Sequence, residues 1–311
     1  MKALVTGGAG FIGSHLTDAL LRDGADVTVL DDLSSGRVEY VNPKANLIQG
    51  DVGDFEAVAD AMTGVDVVFH QAAHRAVLRS VEHPVQTDRA NVGGTVNVLE
   101  AARRSAVRRV VYASSSSVYG GAEQHPTPET APTVPRSPYA VSKLTGELYC
   151  RVFFELFGLE TVSLRYFNVY GPRQRPDSRY ATVIPLFIEA LASDRPAEIH
   201  GDGLQSRDFT FIHDVVRANI VASTSPADRC AGKAYNVAGG RPYSLLQLLE
   251  LVGDRLSATP RARHIDPRPG DVRHTHADMR AARDDLGFEP EYTFEDGLAR
   301  TVSWFRAGVP A

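Results

Sequence analysis

The sequence predicts an α/β fold, with a doubly wound parallel sheet in its first half and a smaller lobe towards its C-terminal end. Three observations carry this reading. Short apolar runs alternate with helix-period stretches as far as about residue 168, a cluster of glycines sits between the first run and the first helix, and the regularity loosens after Gly171-Pro172.

In order, Met1–Thr6 reads as a strand, Phe11–Arg22 as a helix stopped by Gly24, and Ala25–Leu30 as a second strand closed by Asp31-Asp32. Asn46–Val52 is a third strand, Asp54–Met62 a helix and Asp66–Phe69 a fourth strand. A long helix is predicted over Pro84–Ala106, with Arg103, Arg104, Arg108 and Arg109 expected as a solvated end suited to the helix dipole. Val110–Ala113 is a fifth strand running into the serines Ser114–Ser117, and Pro138 opens a helix that reaches Phe157 and Gly158. Thr161–Phe167 is a sixth strand. Beyond it come helices at Thr182–Ala192, Asp214–Ser223, Leu245–Leu256, Ala277–Leu286 and Glu295–Arg306, with short strands at Glu198–His200, Asp208–Ile212 and Ala234–Val237. Thr293, three residues before Asp296, suits a capping start for the last helix. The proline-rich Pro126–Pro138 reads as an ordered loop. The expected division is 1–168, with 208–237 returning to it, as a nucleotide-binding domain, and 169–207 with 238–311 as the lobe.

The chain has 311 residues, 43% apolar and 23% charged, with a net charge of −5 and scattered basic residues. This is an ordinary globular composition, and neither nucleic acid nor an anionic membrane is expected as a partner. The longest apolar runs fall far short of a membrane span, and Met1-Lys2 leads straight into a strand, so a cytoplasmic protein is expected. Cys150 and Cys230 lack any metal or redox spacing and are expected as buried thiols; His274-Thr-His276 has no third ligand type nearby, so no metal is expected.

Gly7, Gly10 and Gly13 form a GxxGxxG turn between strand and helix. Such glycines let the backbone approach a pyrophosphate resting on the helix N-terminus, as in a Rossmann-like dinucleotide site. Asp31 lies 18 residues past Gly13, where a carboxylate can accept from ribose hydroxyls and repel a 2′-phosphate. NAD is therefore expected over NADP. Phe11 and Ile12 within the turn, and Asp32, Ser34 and Gly36 after the second strand, join the candidate cofactor residues.

Tyr139 and Lys143 are four residues apart on the helix opened by Pro138, so their side chains share a face. A phenol has a pKa of about 10, and one cation about 4 Å away at an effective dielectric of about 20 contributes roughly the 4 kcal/mol needed to lower it by about three units. The pair is a candidate general base for a sugar hydroxyl.

With these glycines, the serine run and the tyrosine–lysine pair, the chain resembles the extended short-chain dehydrogenase/reductases, and more closely the nucleotide-sugar 4-epimerases of the UDP-galactose and UDP-glucuronate type. The resemblance covers essentially the whole chain. It implies that Asp51 and Val52 flank the adenine and that Gln71, Ala72 and Ala73 run along the diphosphate and nicotinamide ribose. It also implies that Asn91 supports the helix there, with Ser114 and Phe167 completing the cofactor set. Ser115, four residues before Tyr119, takes the active-site serine position beside Ser116. Asn168, Arg207 and Arg268 match residues on the substrate diphosphate, Asp271 the carboxylate on the uridine ribose, and Val183 and His200 the uracil pocket. A homodimer through the Pro84–Ala106 and Tyr139–Phe157 helices is likewise implied.

The reaction so implied is inversion at C4 through a transient 4-keto sugar. The competing readings are a 4,6-dehydratase or decarboxylase of the same fold, and a non-catalytic NAD-binding regulator. Dehydratases carry an Asp-Glu pair, and decarboxylases a glutamate, where this chain has Ser116-Ser117; the intact tyrosine–lysine pair speaks against the regulator. For the sugar, Thr275 leaves room for a substituent, and Arg175 in Arg173-Gln-Arg175-Pro-Asp177 resembles the arginine near the sugar carboxylate of UDP-glucuronate epimerases. UDP-glucuronate is the slightly favoured expectation, with UDP-glucose and UDP-galactose close behind. Asn168 departs from the threonine usual in the glucuronate enzymes.

Overall fold

A computed structural model describes residues 1–176, 181–267 and 272–308. Seven parallel strands form the main sheet: β1 (Lys2–Thr6), β2 (Asp26–Asp31), β3 (Asn46–Gln49), β4 (Val67–His70), β5 (Arg109–Ser115), β6 (Glu160–Tyr166) and a last strand at Lys233–Val237. Across the sheet the order is Lys233–Val237, β6, β5, β4, β1, β2, β3. The chain thus winds one way from β1 to β3 and then the other way from β4 onward. The reversal leaves a crevice beyond the C-terminal ends of β1 and β4, where open α/β sheets hold their ligands.

The central strands β1, β4, β5 and β6 are buried on both faces, while the edge strand β3 is half-exposed. Ala3 and Val5 of β1 face a core shared with Leu16 and Leu20 of the Phe11–Arg22 helix and Val215 of the Ile212–Thr224 helix. Leu4 faces the opposite core, with Val58, Leu99 and Phe153 of the Phe55–Ala61, Gly94–Arg104 and Pro138–Phe157 helices. That two-sided burial explains why these strands read as continuous apolar runs rather than alternating ones. Ser137 caps the Pro138–Phe157 helix by accepting from Ala140 N, and Gly158 ends it at φ 70°. Gly146 lets this helix lie close on β5, since a Cβ there would be 2.2 Å from the Tyr112 hydroxyl.

The second half adds three two-stranded pairs: Val169–Tyr170 with Thr210–Phe211, Ser206–Asp208 with Pro242–Ser244, and Ala197–His200 with Ala262–Ile265. Thr293 caps the final Phe294–Arg306 helix as expected. The Pro126–Pro138 loop is pinned by Asn236, whose Nδ2 donates to Thr127 O and whose backbone N donates to Glu129 Oε1.

Several elements differ from expectation: the expected Asp208–Ile212 strand is split into Ser206–Asp208 and Thr210–Phe211, with Ile212 opening the next helix. The Pro84–Ala106 helix is interrupted by a π turn at Arg89–Gly93, and an unforeseen helix at Val77–Glu82 precedes it. Only Ala282–Leu286 of the expected Ala277–Leu286 helix is a named helical segment, because Asp278 N and Ala277 instead pair with Thr127. Arg109 is not part of a solvated helix end. It begins β5, is 1% exposed, and donates to Glu160 (2.8 Å) and to the carbonyls of Ala222 and Ser225. It thereby satisfies the otherwise orphaned end of the Ile212–Thr224 helix. Arg109→Met should cost about 2–4 kcal/mol, since it leaves two buried carbonyls unpaired and takes the nearer of two arginines from the partly buried Glu160 carboxylate. Urea unfolding would measure this, and a loss below about 0.5 kcal/mol would refute the assignment.

Candidate active site

The glycine turn leaves no room for side chains. A Cβ at Gly13 would sit 2.2 Å from Gly7 O, and Gly7 itself has φ 72° with its Cβ position 2.7 Å from Ala72 N. The following helix has Gly10 as N-cap and no side-chain cap, so its first N–H groups face the crevice uncapped by any side chain. Asp31 is buried at the end of β2, where Oδ2 accepts from Ala9 N (2.9 Å) and Oδ1 from Leu33 N (2.8 Å). Burial pushes its carboxyl pKa up, against the pull of those two N–H groups. Asp32 accepts from the backbone and hydroxyl of Ser34.

One cleft is lined by Gly7, Gly10, Phe11, Ile12, Gly13, Asp31, Asp32, Ser34 and Gly36, and continues along Asp51, Val52, Gln71, Ala72, Ala73, Ser114, Tyr139 and Lys143. A glycine cradle that a Cβ would fill, an uncapped helix N-terminus and a carboxylate at the strand end fit a dinucleotide. Two residues of the expected cofactor set do not line this cleft. Phe167 lines the neighbouring cavity, while Asn91 is buried behind the wall. Its side chain accepts from His74 N and donates to His74 O and Ser142 Oγ. The π turn supplies this, directing Asn91 inward so that it braces the cleft wall rather than lining it.

Tyr139 is half-buried where this cleft meets a second cavity. Burial pushes its phenol above the ordinary value, opposed by a hydrogen bond with Ser115 and by the charge of Arg75. Lys143 lines the same cleft as Tyr139. It is fully enclosed, and its ammonium donates to Ala113 O (2.7 Å) and lies 5.0 Å from the Tyr112 ring. Burial holds it down to about 8. Helical spacing gave the shared face, and the bond to Ala113 O uses one of the ammonium's three donors. Ser115 ends β5 and turns into a short 3₁₀ segment by accepting from Ser117 N.

The second cavity brings Ser115, Ser116, Tyr139, Asn168, Arg207 and Thr275 together. A third, continuous through Asn168 and Arg207, adds Val183 and His200. Asn168 sits at φ 37°, and its Nδ2 donates to Asp208 O and Thr275 Oγ1, so its carbonyl is the end left for a ligand. Arg207 is oriented by donation to Ser206 O and Arg273 O. Arg175 lies in the first cleft with Tyr139. Arg268 and Asp271 lie outside the described residues.

Sequence reasoning missed Arg75 and Arg173. Arg75 lines both cavities beside Tyr139, and the charge of Arg175 helps to lower its pKa after desolvation. It stands in a loop, where no periodicity tells which way a side chain points. Arg173 was visible as part of a motif, but nothing in the spacing aimed it at the cofactor cleft, which it lines.

The NAD dependent epimerase/dehydratase family matches residues 3–238. The UDP-glucose 4-epimerase of Mycolicibacterium smegmatis is 41% identical over 98% of this chain and 99% of its own. A UDP-glucuronate 4-epimerase of Thermodesulfobacterium geofontis is 34% identical over 98% and 96%. The crystal structure of Thermotoga maritima UDP-glucose 4-epimerase with UDP-glucose superposes with a TM-score of 0.94 at 36% identity, covering 99% of each chain. With its NAD cradle and its Tyr139–Ser115 pair in place, the chain belongs to the NAD dependent epimerase/dehydratase family.

Proposed function

We propose that the protein is a UDP-sugar 4-epimerase in which 1–168 and 208–237 hold NAD, and 169–207 with 238–311 hold the nucleotide sugar. The observation that supports this most is Tyr139 standing in the wall common to the dinucleotide cleft and the cavity of Ser115, Asn168 and Arg207. Bound NAD supplies a reversible hydride acceptor for C4 of the sugar. Tyr139, as phenolate, takes the proton of the 4-hydroxyl, and Ser115 donates to that oxygen as it becomes a ketone. Lys143 keeps the expected role of supporting the phenolate from the same cleft, and the charge of Arg75 favours the phenolate as well. Arg207, with Arg268 outside the described residues, anchors the diphosphate, in keeping with bidentate arginine recognition of phosphate. An anchor on the nucleotide alone leaves the flat 4-keto sugar free to turn and take hydride on its other face. Ser116-Ser117 offer no acid–base pair for water loss, which favours epimerisation over 4,6-dehydration.

For the sugar, we take the substrate to be a uronate. Arg175 and Arg75 share the cleft with Tyr139 and raise each other's electrostatic cost, which a substrate carboxylate would relieve. The bare apolar face of the Pro138–Phe157 helix (Val141, Leu148, Tyr149, Val152, Leu156), with Val77, Leu78, Val81 and Val85 on the neighbouring helices, supports a homodimer joined there.

Tyr139→Phe should lower kcat for C4 inversion by about 10²–10⁴-fold with NAD still bound, followed by NMR of the UDP-sugar; near-normal turnover would end the proposed chemistry. Arg175→Ala should lower kcat/KM for UDP-glucuronate by about 10–100-fold, as loss of a charge-assisted pair predicts, and change UDP-glucose by less than about 3-fold. Equal losses on both would remove the carboxylate argument and favour the neutral sugar. Val152→Arg should halve the mass seen by sedimentation velocity, and an unchanged mass would place the interface elsewhere.

A further inference from the structure

The segment Gly171–Arg175 leaves the sheet and is tied down on the first helix, Phe11–Arg22, at two places one turn apart. His15 Nε2 meets Pro172 O at 3.0 Å, and Asp18 Oδ2 pairs with Arg173 Nη2 at 2.8 Å. The guanidinium also lies 5.8 Å from the centre of the Tyr40 ring, and Gln174 Nε2 closes the segment on itself by donating to Val169 O. Burial lowers the His15 pKa to about 4, so the imidazole is neutral and its Nε2–H is free to donate to Pro172 O in mild acid as at neutral pH.

Two features of Arg173 are not explained by this fastening. Its backbone sits at φ 66°, a left-handed conformation that any residue with a Cβ adopts at a cost unless its surroundings require it. Its Nη1 is buried without a hydrogen-bond partner among the described residues, although its other nitrogen is paired. A buried N–H donor lacking a partner is unusual and calls for a partner that a water or a ligand would supply. Arg173 lines the same cleft as Gly10, Phe11 and Ile12, where the helix N-terminus receives an anion.

We propose that Gly171–Arg175 is a strap across the coenzyme cleft and that Arg173 is a positioning residue that clasps the dinucleotide diphosphate. Asp18 and Tyr40 hold the guanidinium by one edge and leave the Nη1 edge for phosphate oxygens, the fork geometry that arginine offers and lysine does not. The strap joins the start of the lobe to the helix that carries the glycine turn, so a bound coenzyme is enclosed from both sides. This inference rests on the NAD cleft and not on the identity of the sugar.

The test is the rate at which purified holoenzyme loses NAD after rapid desalting, with the released coenzyme quantified over time. Arg173→Ala should release NAD at least about tenfold faster, the loss expected for one charge-assisted contact. Arg173→Gly, which accepts φ 66° without strain, should release it as fast as the alanine variant, and Asp18→Asn should fall between that and wild type. Coenzyme-free wild type and Arg173→Gly should melt at similar temperatures, while added NAD should raise the melting point of the wild type more. Release at the wild-type rate in both Arg173 variants would overturn the proposal. So would a lowered melting point in the coenzyme-free variant with an undiminished response to NAD, because Arg173 would then serve the fold alone.

Discussion

The site depends on a buried ion pair beneath it. Glu147, one turn past Lys143, receives Arg165 of β6 through both carboxylate oxygens, at 2.9 and 2.7 Å, and also accepts from Ser114 Oγ. Arg165 in turn donates to the Tyr119 hydroxyl and to Glu129 O, and Tyr119 donates to Asn236 Oδ1 on the last strand. Both partners are less than 10% exposed. A pair this deep gains little net stability over apolar packing, but breaking it is costly because either charge alone would be stranded. Its value is positional. It locks the Pro138–Phe157 helix, β5, β6 and the Pro126–Pro138 loop into one frame, and so fixes Tyr139 against the Ser115 turn.

Above that frame the chemistry divides between charges that build and charges that act. Lys143 donates to the Ala113 carbonyl and Asp31 accepts from two backbone N–H groups, so both shape the cleft walls as well as face its contents. Arg75 instead projects its field on the phenol. A tyrosine in a low-dielectric setting resists ionisation, and the nearby cation offsets that resistance without having to touch the ring.

Much of this was legible beforehand, for definite reasons. Strand and helix alternate with clear period changes, and serine, proline and glycine start or stop helices at positions the backbone requires, as at Ser137, Pro138 and Gly158. The cofactor residues were readable because steric exclusion at Gly7 and Gly13 leaves few other sequences possible. What escaped depended on contacts between distant segments. Arg109 looked solvated because its partners Ala222 and Ser225 lie more than a hundred residues away. The π turn at Arg89–Gly93 has no local signature, and the segment after Ala277 gives up helical turns to pair with Thr127. The sheet order, too, is a long-range fact, since adjacent strands in sequence read alike whichever side they join.

The last strand of the sheet carries a consequence for the growing chain. Lys233–Val237 pairs with β6 only after more than sixty intervening residues have been made, including the whole first part of the lobe. Until then β6 presents bare N–H and C=O groups, a template that another nascent copy could extend. The main sheet is therefore not complete by residue 168. Its completion waits on the ribosome reaching a segment that lies beyond the lobe's first helix, which couples the maturation of the two halves during synthesis.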